Sequence, residues 1–159
     1  MTHTHSYELL LRWTGNRGVG TCTYRAYSRN HDLVVAGAPV IPGSADPVFR
    51  GDAARWNPEL LFLASLAQCH MLTYLHLATG AGVVVTAYED RPTGVLTMDP
   101  DGIGGEMTQV TLRPSVTITP DSDPDVAQSL HEQVGALCFI ARSVRVPVHH
   151  EPTVRVGDD

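Results

Sequence analysis

The sequence predicts an α+β fold in a single domain spanning residues 1–159. Segments with period-2 alternation occupy the start, middle and end of the chain, and two segments with helical periodicity lie between them. A chain of 159 residues that is 43% hydrophobic can bury one core but hardly two. We therefore expect antiparallel sheets with two central helices, each of which carries a cysteine.

The first part of the chain predicts a β-meander followed by a long loop. Alternation over residues 7–13 indicates a strand, and the turn after it indicates a return strand over 21–27 with Cys22 in the core. A third short strand is expected near 33–35. Residues 37–56 show no periodicity, and a structureless loop of that length in a compact domain is more often functional than filler.

The first helix is predicted to begin at Pro58. Asn57 is a good N-cap, proline suits the first helical position, and Glu59 complements the positive end of the helix dipole. At about 100° per residue the helix has one polar stripe, and we expect the remaining apolar surface to be mostly buried. The polar stripe consists of Ser65, Gln68, Cys69, Thr73 and His76.

The second half of the chain predicts more strands and a second helix. The strands are expected over 83–89, 94–98, 107–118 and 153–156. Asp123-Pro124 begins the second helix, in which apolar residues recur at helical spacing and Cys138 lies on the margin. His131 is expected to be a solvated residue of this helix, and the prolines and histidines of 147–152 are expected to break structure.

Composition excludes several classes of partner. The net charge is −6, and the 11 basic residues, all arginine, form no stripe for a phosphate backbone, so nucleic acid is not expected as a partner. No C-x-x-C or helical H-x-x-x-H motif is present, and we expect neither a metal nor an organic cofactor. The N-terminus has no apolar signal region, and polar residues interrupt the apolar first helix, which predicts a soluble, cytoplasmic protein without a membrane segment.

Three interpretations of Cys69 compete. A cysteine in an apolar helix is often a small buried hydrophobe, but this one lies on the polar stripe beside His70. A cysteine hydrolase needs a base oriented by a third group, and no local signature of one surrounds the thiol. The redox interpretation has a partner thiol, Cys138, in the other helix. Three cysteines without a secretion signal are expected to be reduced at rest, so any disulfide is expected to be transient.

Several stretches of sequence carry a resemblance to a known family. They are Asn57-Pro58-Glu59-Leu60-Leu61, Ala64-Ser65-Leu66-Ala67-Gln68-Cys69-His70, the continuation Met71-Leu72, and Gly43-Ser44-Ala45-Asp46-Pro47. With these residues, the second cysteine and the order of elements along nearly the whole chain, the protein resembles the OsmC/Ohr family of thiol-dependent peroxidases. It is more similar to the OsmC-like branch than to the organic hydroperoxide resistance proteins.

The resemblance implies an intertwined homodimer that reduces organic hydroperoxides in oxidative or osmotic stress defence, with a dithiol as reductant. Cys69 takes the position of the peroxidatic cysteine, and Cys138 takes that of the resolving cysteine. Two departures concern the second position: Phe139 follows Cys138 where the family often has proline, and Gly135 stands where it often has histidine.

The resemblance also implies a guanidinium, held by Glu59, that activates the thiolate. Arg17 matches the family's arginine after the first strand, and Arg50 and Arg55 are alternatives. Glu59 and Cys69 are about 15 Å apart along a straight helix, which favours a site that draws on both subunits.

A non-enzymatic function is the alternative hypothesis. An apolar interface of the homodimer could bind a small apolar ligand, with the cysteines acting as a redox sensor. The sequence does not separate this hypothesis from peroxidase activity, because apolar peroxides and apolar ligands require the same lining.

Overall fold

The computed structural model describes residues 3–157, which contain nine β-strands, two α-helices and two short 3-10 helices. This content confirms the α+β prediction. The chain divides into two compact units, Met1–Leu61 and Phe62–Asp159, called here the N-terminal and the C-terminal unit. The expectation of a single domain stays a prediction.

The N-terminal unit contains one antiparallel sheet of three short strands. The strands are β1 (Leu10–Trp13), β2 (His31–Val34) and β3 (Ile41–Gly43), in the order β1-β2-β3. Leu11 lies opposite Leu33 in this register. The 17 residues between β1 and β2 form a loop that is closed by backbone hydrogen bonds from Thr14 N–H to the Asn30 carbonyl and from Ser28 N–H to the Gly15 carbonyl.

The predicted return strand over 21–27 is wrong. Asn16 Oδ1 accepts hydrogen bonds from the backbone N–H of Gly18 (2.9 Å) and Gly20 (3.0 Å), and both glycines have positive φ. This side-chain turn bends the chain away from a hairpin, since its backbone donors are already occupied. The return strand is β2, and Cys22 is an exposed free thiol and not a core residue.

The loop before the first helix has more structure than the sequence predicts. It contains β3 and a 3-10 helix, Pro47–Phe49, whose N-cap is Asp46. Ser44 is fully buried, and its Oγ donates to Asn30 Oδ1 (3.0 Å) and accepts from the backbone N–H of Asp52 (3.1 Å). One serine of the Gly43-to-Pro47 motif therefore fixes the path of the loop.

Helix α1 (Pro58–Gly80) has the predicted bounds. The side chain of Asn57 caps it by accepting a hydrogen bond from Leu60 N (2.8 Å). The residues buried by the chain form a narrow stripe at intervals of four: Leu66, His70, Tyr74 and Ala78. The expectation of a mostly buried helix is wrong for the single chain, since Leu72 is 61% exposed. By length and composition alone α1 could cross a membrane.

The C-terminal unit contains two three-stranded sheets. The first, in the order β4-β7-β9, comprises β4 (Val85–Asp90), β7 (Pro114–Ile118) and β9 (Thr153–Val156). The second, in the order β5-β6-β8, comprises β5 (Thr93–Met98), β6 (Gly105–Leu112) and β8 (Val148–His150).

These sheets depart from a purely antiparallel arrangement. The pairs β4–β7 and β5–β6 are antiparallel, as predicted, but β8 and β9 each add to a sheet in parallel. The prediction that residues 147–152 only break structure is wrong, because β8 lies within them. The predicted strand over 107–118 is two strands in different sheets, and Pro114 begins the second.

Helix α2 (Pro124–Leu137) packs into the larger of two buried clusters. Asp123 Oδ1 caps it by accepting hydrogen bonds from Asp125 N (2.8 Å) and Val126 N (3.2 Å). The cluster joins α1, α2, β7 and the segment before β4: Tyr74, Ala78, Val83, Val116, Ile118, Ala127, Leu130, Val134 and Cys138. The smaller cluster contains Leu66, Val110 and Leu112.

Candidate redox site

Two cysteines from different helices meet in the C-terminal unit. Cys69 lies in the middle of α1 and is half-buried, whereas Cys138 is the C-cap residue of α2 and is 1% exposed. Their sulfur atoms lie at disulfide distance, and their Cα atoms are 5.7 Å apart. Disulfides require a Cα separation below about 7 Å, so the fold permits the bond. The structure thus pairs the two cysteines to which the resemblance assigns the redox chemistry.

The end of α2 positions the second thiol. The backbone N–H of Cys138 donates to the carbonyl of Val134 (2.8 Å), and its backbone then becomes extended, so the helix ends at the cysteine. The Sγ atom accepts a hydrogen bond from Ala141 N (3.4 Å). Phe139, which stands at the position where the family often has proline, is 78% exposed. The Cys138 side chain is therefore buried in the core, whereas the next residue is already at the surface.

Three histidines lie near this disulfide, and sequence analysis missed their association. His70 Nε2 is 2.9 Å from His131 Nδ1, and the two rings are stacked. The ring of His150, in β8, is 5.6 Å from that of His70. His131 is fully buried, so its prediction as a solvated residue is wrong. The sequence contains a signal for this burial, because the helical spacing of residues 127, 130, 131 and 134 places His131 on the same, buried face of α2 as three apolar residues.

Burial controls the charge of two of these imidazoles. Loss of hydration, with a smaller contribution from His150, lowers the pKa of His70 to about 4. Loss of hydration also lowers the pKa of His131 to about 3, with smaller contributions from His70 and His150. Both rings are therefore neutral near pH 7. Nε2 of His131 is buried and has no hydrogen-bond partner within residues 3–157.

The remaining predicted site residues belong to the N-terminal unit. Glu59 lies in the first turn of α1, and its Oε2 is a buried acceptor without a hydrogen-bond partner among the described residues. Arg17 lies in the exposed turn after β1 and forms no ion pair with any residue of 3–157.

The two alternative arginines, Arg50 and Arg55, differ in whether an acidic side chain already pairs with the guanidinium. The Arg55 guanidinium lies 3.6 Å from Asp32 and 3.7 Å from Asp52. Arg50 is exposed and forms no ion pair with any residue of 3–157, and its positive φ of 65° belongs to the C-cap of the 3-10 helix, where its backbone N–H donates to the carbonyl of Pro47. Of the two, Arg50 therefore has the guanidinium that is available for a new ion pair.

The donor set for a metal is also limited. Within residues 3–157, no group of three or more His, Cys, Asp or Glu side chains is arranged to hold a metal ion. Nε2 of His70 and Nδ1 of His131 are hydrogen-bonded to each other, so these two nitrogens are not free to bind a metal ion.

Comparison with solved structures identifies similar folds. An OsmC-like protein of unknown function from Vibrio cholerae is 29% identical, with a TM-score of 0.84 over 94% of this chain and 100% of that one. An organic hydroperoxide resistance protein from Legionella pneumophila is 18% identical, with a TM-score of 0.66 over 95% and 98% of the two chains. The corresponding protein from Bacillus subtilis is 21% identical, with a TM-score of 0.60 over 94% and 98%.

Comparison at the level of sequence points to the same family. A search of the curated proteins finds no match. The profile of the family described as OsmC-like protein matches residues 51–152, which include α1, both sheets of the C-terminal unit up to β8, and the two paired cysteines. The chain therefore belongs to the OsmC-like protein family.

Proposed function

We propose that this protein is a thiol-dependent peroxidase that reduces organic hydroperoxides in oxidative or osmotic stress defence. The observation that carries the proposal is the pairing of Cys69 with Cys138 at disulfide distance in a chain of the OsmC-like family. Two proteins of similar fold are named for organic hydroperoxide resistance. Electrons come from a dithiol reductant, and no metal or organic cofactor takes part.

The different exposure of the two cysteines supports their assignment. Cys69 is half-buried, whereas Cys138 is 1% exposed, so a peroxide reaches Cys69 first. The Cys69 thiolate attacks the terminal oxygen of the hydroperoxide, the O–O bond breaks, and the alkoxide leaves as an alcohol after taking up one proton. Cys138 then attacks the sulfenic acid, and the dithiol returns the disulfide to two thiols.

Activation of the thiolate requires a positive charge near Cys69. A free thiol has a pKa of about 8.5, and a guanidinium favours the thiolate and stabilises the departing oxygen. Glu59 supports this role, because its buried Oε2 lacks a donor within the described chain and a guanidinium supplies one. We assign the guanidinium to Arg17, with Arg50 and Arg55 as the alternatives.

The apolar surface of the N-terminal unit supports the formation of a homodimer. Leu9, Leu11 and Trp13, on and beside β1, are 59%, 61% and 44% exposed. An apolar surface of this kind marks an interface. We propose a second copy of this chain as its partner, with a site that draws on both subunits. We propose a soluble, cytoplasmic protein; the packing of α1 against α2 and β7 within the chain supports a core helix over a membrane-spanning one.

The decisive experiment measures consumption of cumene hydroperoxide with dithiothreitol as reductant. Cys69→Ser abolishes turnover, because the attacking sulfur is lost, while circular dichroism shows an unchanged fold. Cys22→Ser is the matched control, since Cys22 is an exposed free thiol, and it retains wild-type turnover. A wild-type protein that holds the disulfide but consumes no peroxide contradicts the proposal and favours the ligand-binding alternative.

A set of three variants identifies the activating arginine. Arg17→Ala raises the pH at which Cys69 is alkylated by iodoacetamide, because the nearby positive charge is lost, and slows peroxide reduction. Arg50→Ala and Arg55→Ala are the comparisons. If Arg50→Ala or Arg55→Ala produces this shift and Arg17→Ala does not, the role belongs to that other residue.

A further inference from the structure

A second contact joins the two cysteine-bearing segments independently of sulfur. His70 directly follows Cys69 in α1. His131 precedes Cys138 by seven residues, close to two helical turns, so it lies on the same face of α2. The hydrogen bond of 2.9 Å between His70 Nε2 and His131 Nδ1 therefore connects the helices beside the disulfide.

The surroundings hold this contact in one geometry. The ring of Tyr74 stacks on that of His131 with 4.1 Å between centroids, and the Tyr74 Oη donates to the carbonyl of Ala127 (3.1 Å). Tyr74 and His131 have no exposed surface. A buried, hydrogen-bonded pair of this kind specifies one packing of the two helices, because breaking it leaves polar groups unpaired in the core.

The acidity of the pair argues against a role as acid or base. Burial lowers the pKa of His70 to about 4 and that of His131 to about 3. A thiol has a pKa of about 8.5, so transfer of its proton to either of these weakly basic rings is strongly unfavourable. Neutral rings of such low basicity suit a structural contact better than a proton transfer.

We propose that His70 and His131 form a positioning pair that keeps Cys138 within reach of Cys69 when the disulfide is open. The proposal rests on the proposed peroxidase function for its place in the reaction. In that step the Cys138 sulfur attacks the sulfur of the Cys69 sulfenic acid, an S–S bond forms, the S–O bond breaks, and hydroxide leaves as water with the Cys138 proton. Once the bond is reduced, the histidine contact still restrains the 5.7 Å Cα separation.

The test measures the equilibrium between the reduced cysteine pair and the Cys69–Cys138 disulfide in the absence of peroxide. Wild-type protein and His131→Phe are equilibrated with glutathione redox buffers, and the fraction of Cys69–Cys138 disulfide is measured by mass spectrometry. His131→Phe retains the aromatic stack but loses the hydrogen bond, and we expect the effective concentration of the two thiols to fall at least about ten-fold. His131→Asn places a polar atom near the position of Nδ1 and restores part of the difference, and His70→Phe breaks the same hydrogen bond if His131→Phe does not fold.

A control separates positioning from general loss of stability. Val110→Ala removes buried volume in the smaller cluster and leaves the histidine pair intact, so it lowers stability without changing the glutathione equilibrium. A folded His131→Phe protein with a wild-type equilibrium overturns the proposal, and if His131→Phe does not fold, a folded His70→Phe protein with a wild-type equilibrium does so. Wild-type protein that closes its disulfide with glutathione but does not consume cumene hydroperoxide overturns the proposed function instead, while the histidine comparison remains valid.

A second arm places the pair in the peroxide reaction. With one equivalent of cumene hydroperoxide, we expect His131→Phe to form the Cys69 sulfenic acid at a rate close to that of wild type. Closure of the disulfide is slower, so sulfinic acid accumulates with excess peroxide. An equal slowing of both steps contradicts a role confined to Cys138.

Discussion

The N-terminal and C-terminal units differ in where their apolar side chains lie. Every hydrophobic residue that is buried among residues 3–157 falls between Leu66 and Cys138, within the C-terminal unit. In the N-terminal unit the buried side chains are polar, Ser44 and Asn57, and large hydrophobic residues such as Leu11 are exposed. The C-terminal unit thus has its own core, whereas the N-terminal unit is held by backbone pairing and polar contacts.

The exposed apolar residues indicate that the N-terminal unit needs stabilising contacts that the single chain does not make. Burying a leucine side chain contributes about 1.5–3 kcal/mol, and a domain is stable by only about 5–15 kcal/mol. A sheet of three short strands with its apolar residues exposed lacks that contribution. The proposed intertwined dimer would supply it by covering these residues with a second copy of the chain.

The largest effect is expected from Leu11→Asp in β1. A carboxylate at this exposed apolar position prevents burial in a dimer and weakens association by 2 kcal/mol or more, roughly the effect of losing an interface hot spot. Light scattering is expected to show a monomer, and cumene hydroperoxide turnover is expected to fall with it. Ile103→Asp, at an 87% exposed turn position of the C-terminal unit, is the control and stays dimeric. A monomeric wild type with full turnover disproves the dependence.

A smaller effect on stability distinguishes the two units directly. Ile118→Ala, in the larger buried cluster, leaves a cavity and lowers the free energy of unfolding by about 3 kcal/mol. Val48→Ala removes methyl groups from a side chain that is 82% exposed in the N-terminal unit and changes stability by less than about 0.5 kcal/mol. Urea unfolding midpoints measure both. A large loss for Val48→Ala indicates that a second chain covers this position.

The smallest effect concerns pH and belongs to the C-terminal unit. The pKa values of His70 and His131 are about 4 and about 3 in the folded protein and about 6.5 when unfolded. The unfolded chain therefore binds more protons between these values, so the stability present above pH 6.5 is lost as the pH falls. Each ring contributes a slope of up to about 1.4 kcal/mol per pH unit.

Comparison of variants isolates this slope from that of the carboxylates. His150 of β8 and Tyr74 of α1 face the two rings and stay unchanged. The double variant His70→Asn/His131→Asn has a flatter dependence of unfolding free energy on pH between 4 and 6.5 than wild type. His76→Asn, an exposed residue of the same helix, is the control. Parallel curves for wild type and double variant contradict burial of neutral rings.

The sequence predicted those parts of the fold that depend on local signals. The start of α1 was correct because Asn57 and Pro58 act within one turn, and α2 was correct because of its Asp-Pro start and its apolar period. The wrong return strand is an exception, because its cause is also local: the Asn16 side chain accepts hydrogen bonds from residues two and four positions away. The stretch Thr14-Gly15-Asn16-Arg17-Gly18 is equally compatible with a hairpin turn, so it does not distinguish the two paths. Strand β8 was missed because its pairing with β6 is non-local.

The same distinction applies to the candidate site. Cys69 and Cys138 could be named because their local sequence resembles the family, and the fold brings them together. The histidine pair could not be predicted from spacing, since His70 and His131 are 61 residues apart and meet only through helix packing. The burial of Ser44 was hidden for the same reason, because its partners Asn30 and Asp52 are distant in sequence.

The parallel strands have a consequence for synthesis on the ribosome. Among the elements of the C-terminal unit, β8 and β9 come last, and each completes one sheet. Until residues 148–156 have emerged, β6 and β7 both present a free edge, and free edges readily join with other chains. Pairing between distant segments also forms late in folding. We therefore expect the nascent protein to be most prone to aggregation in the interval between completion of α2 and arrival of these two strands.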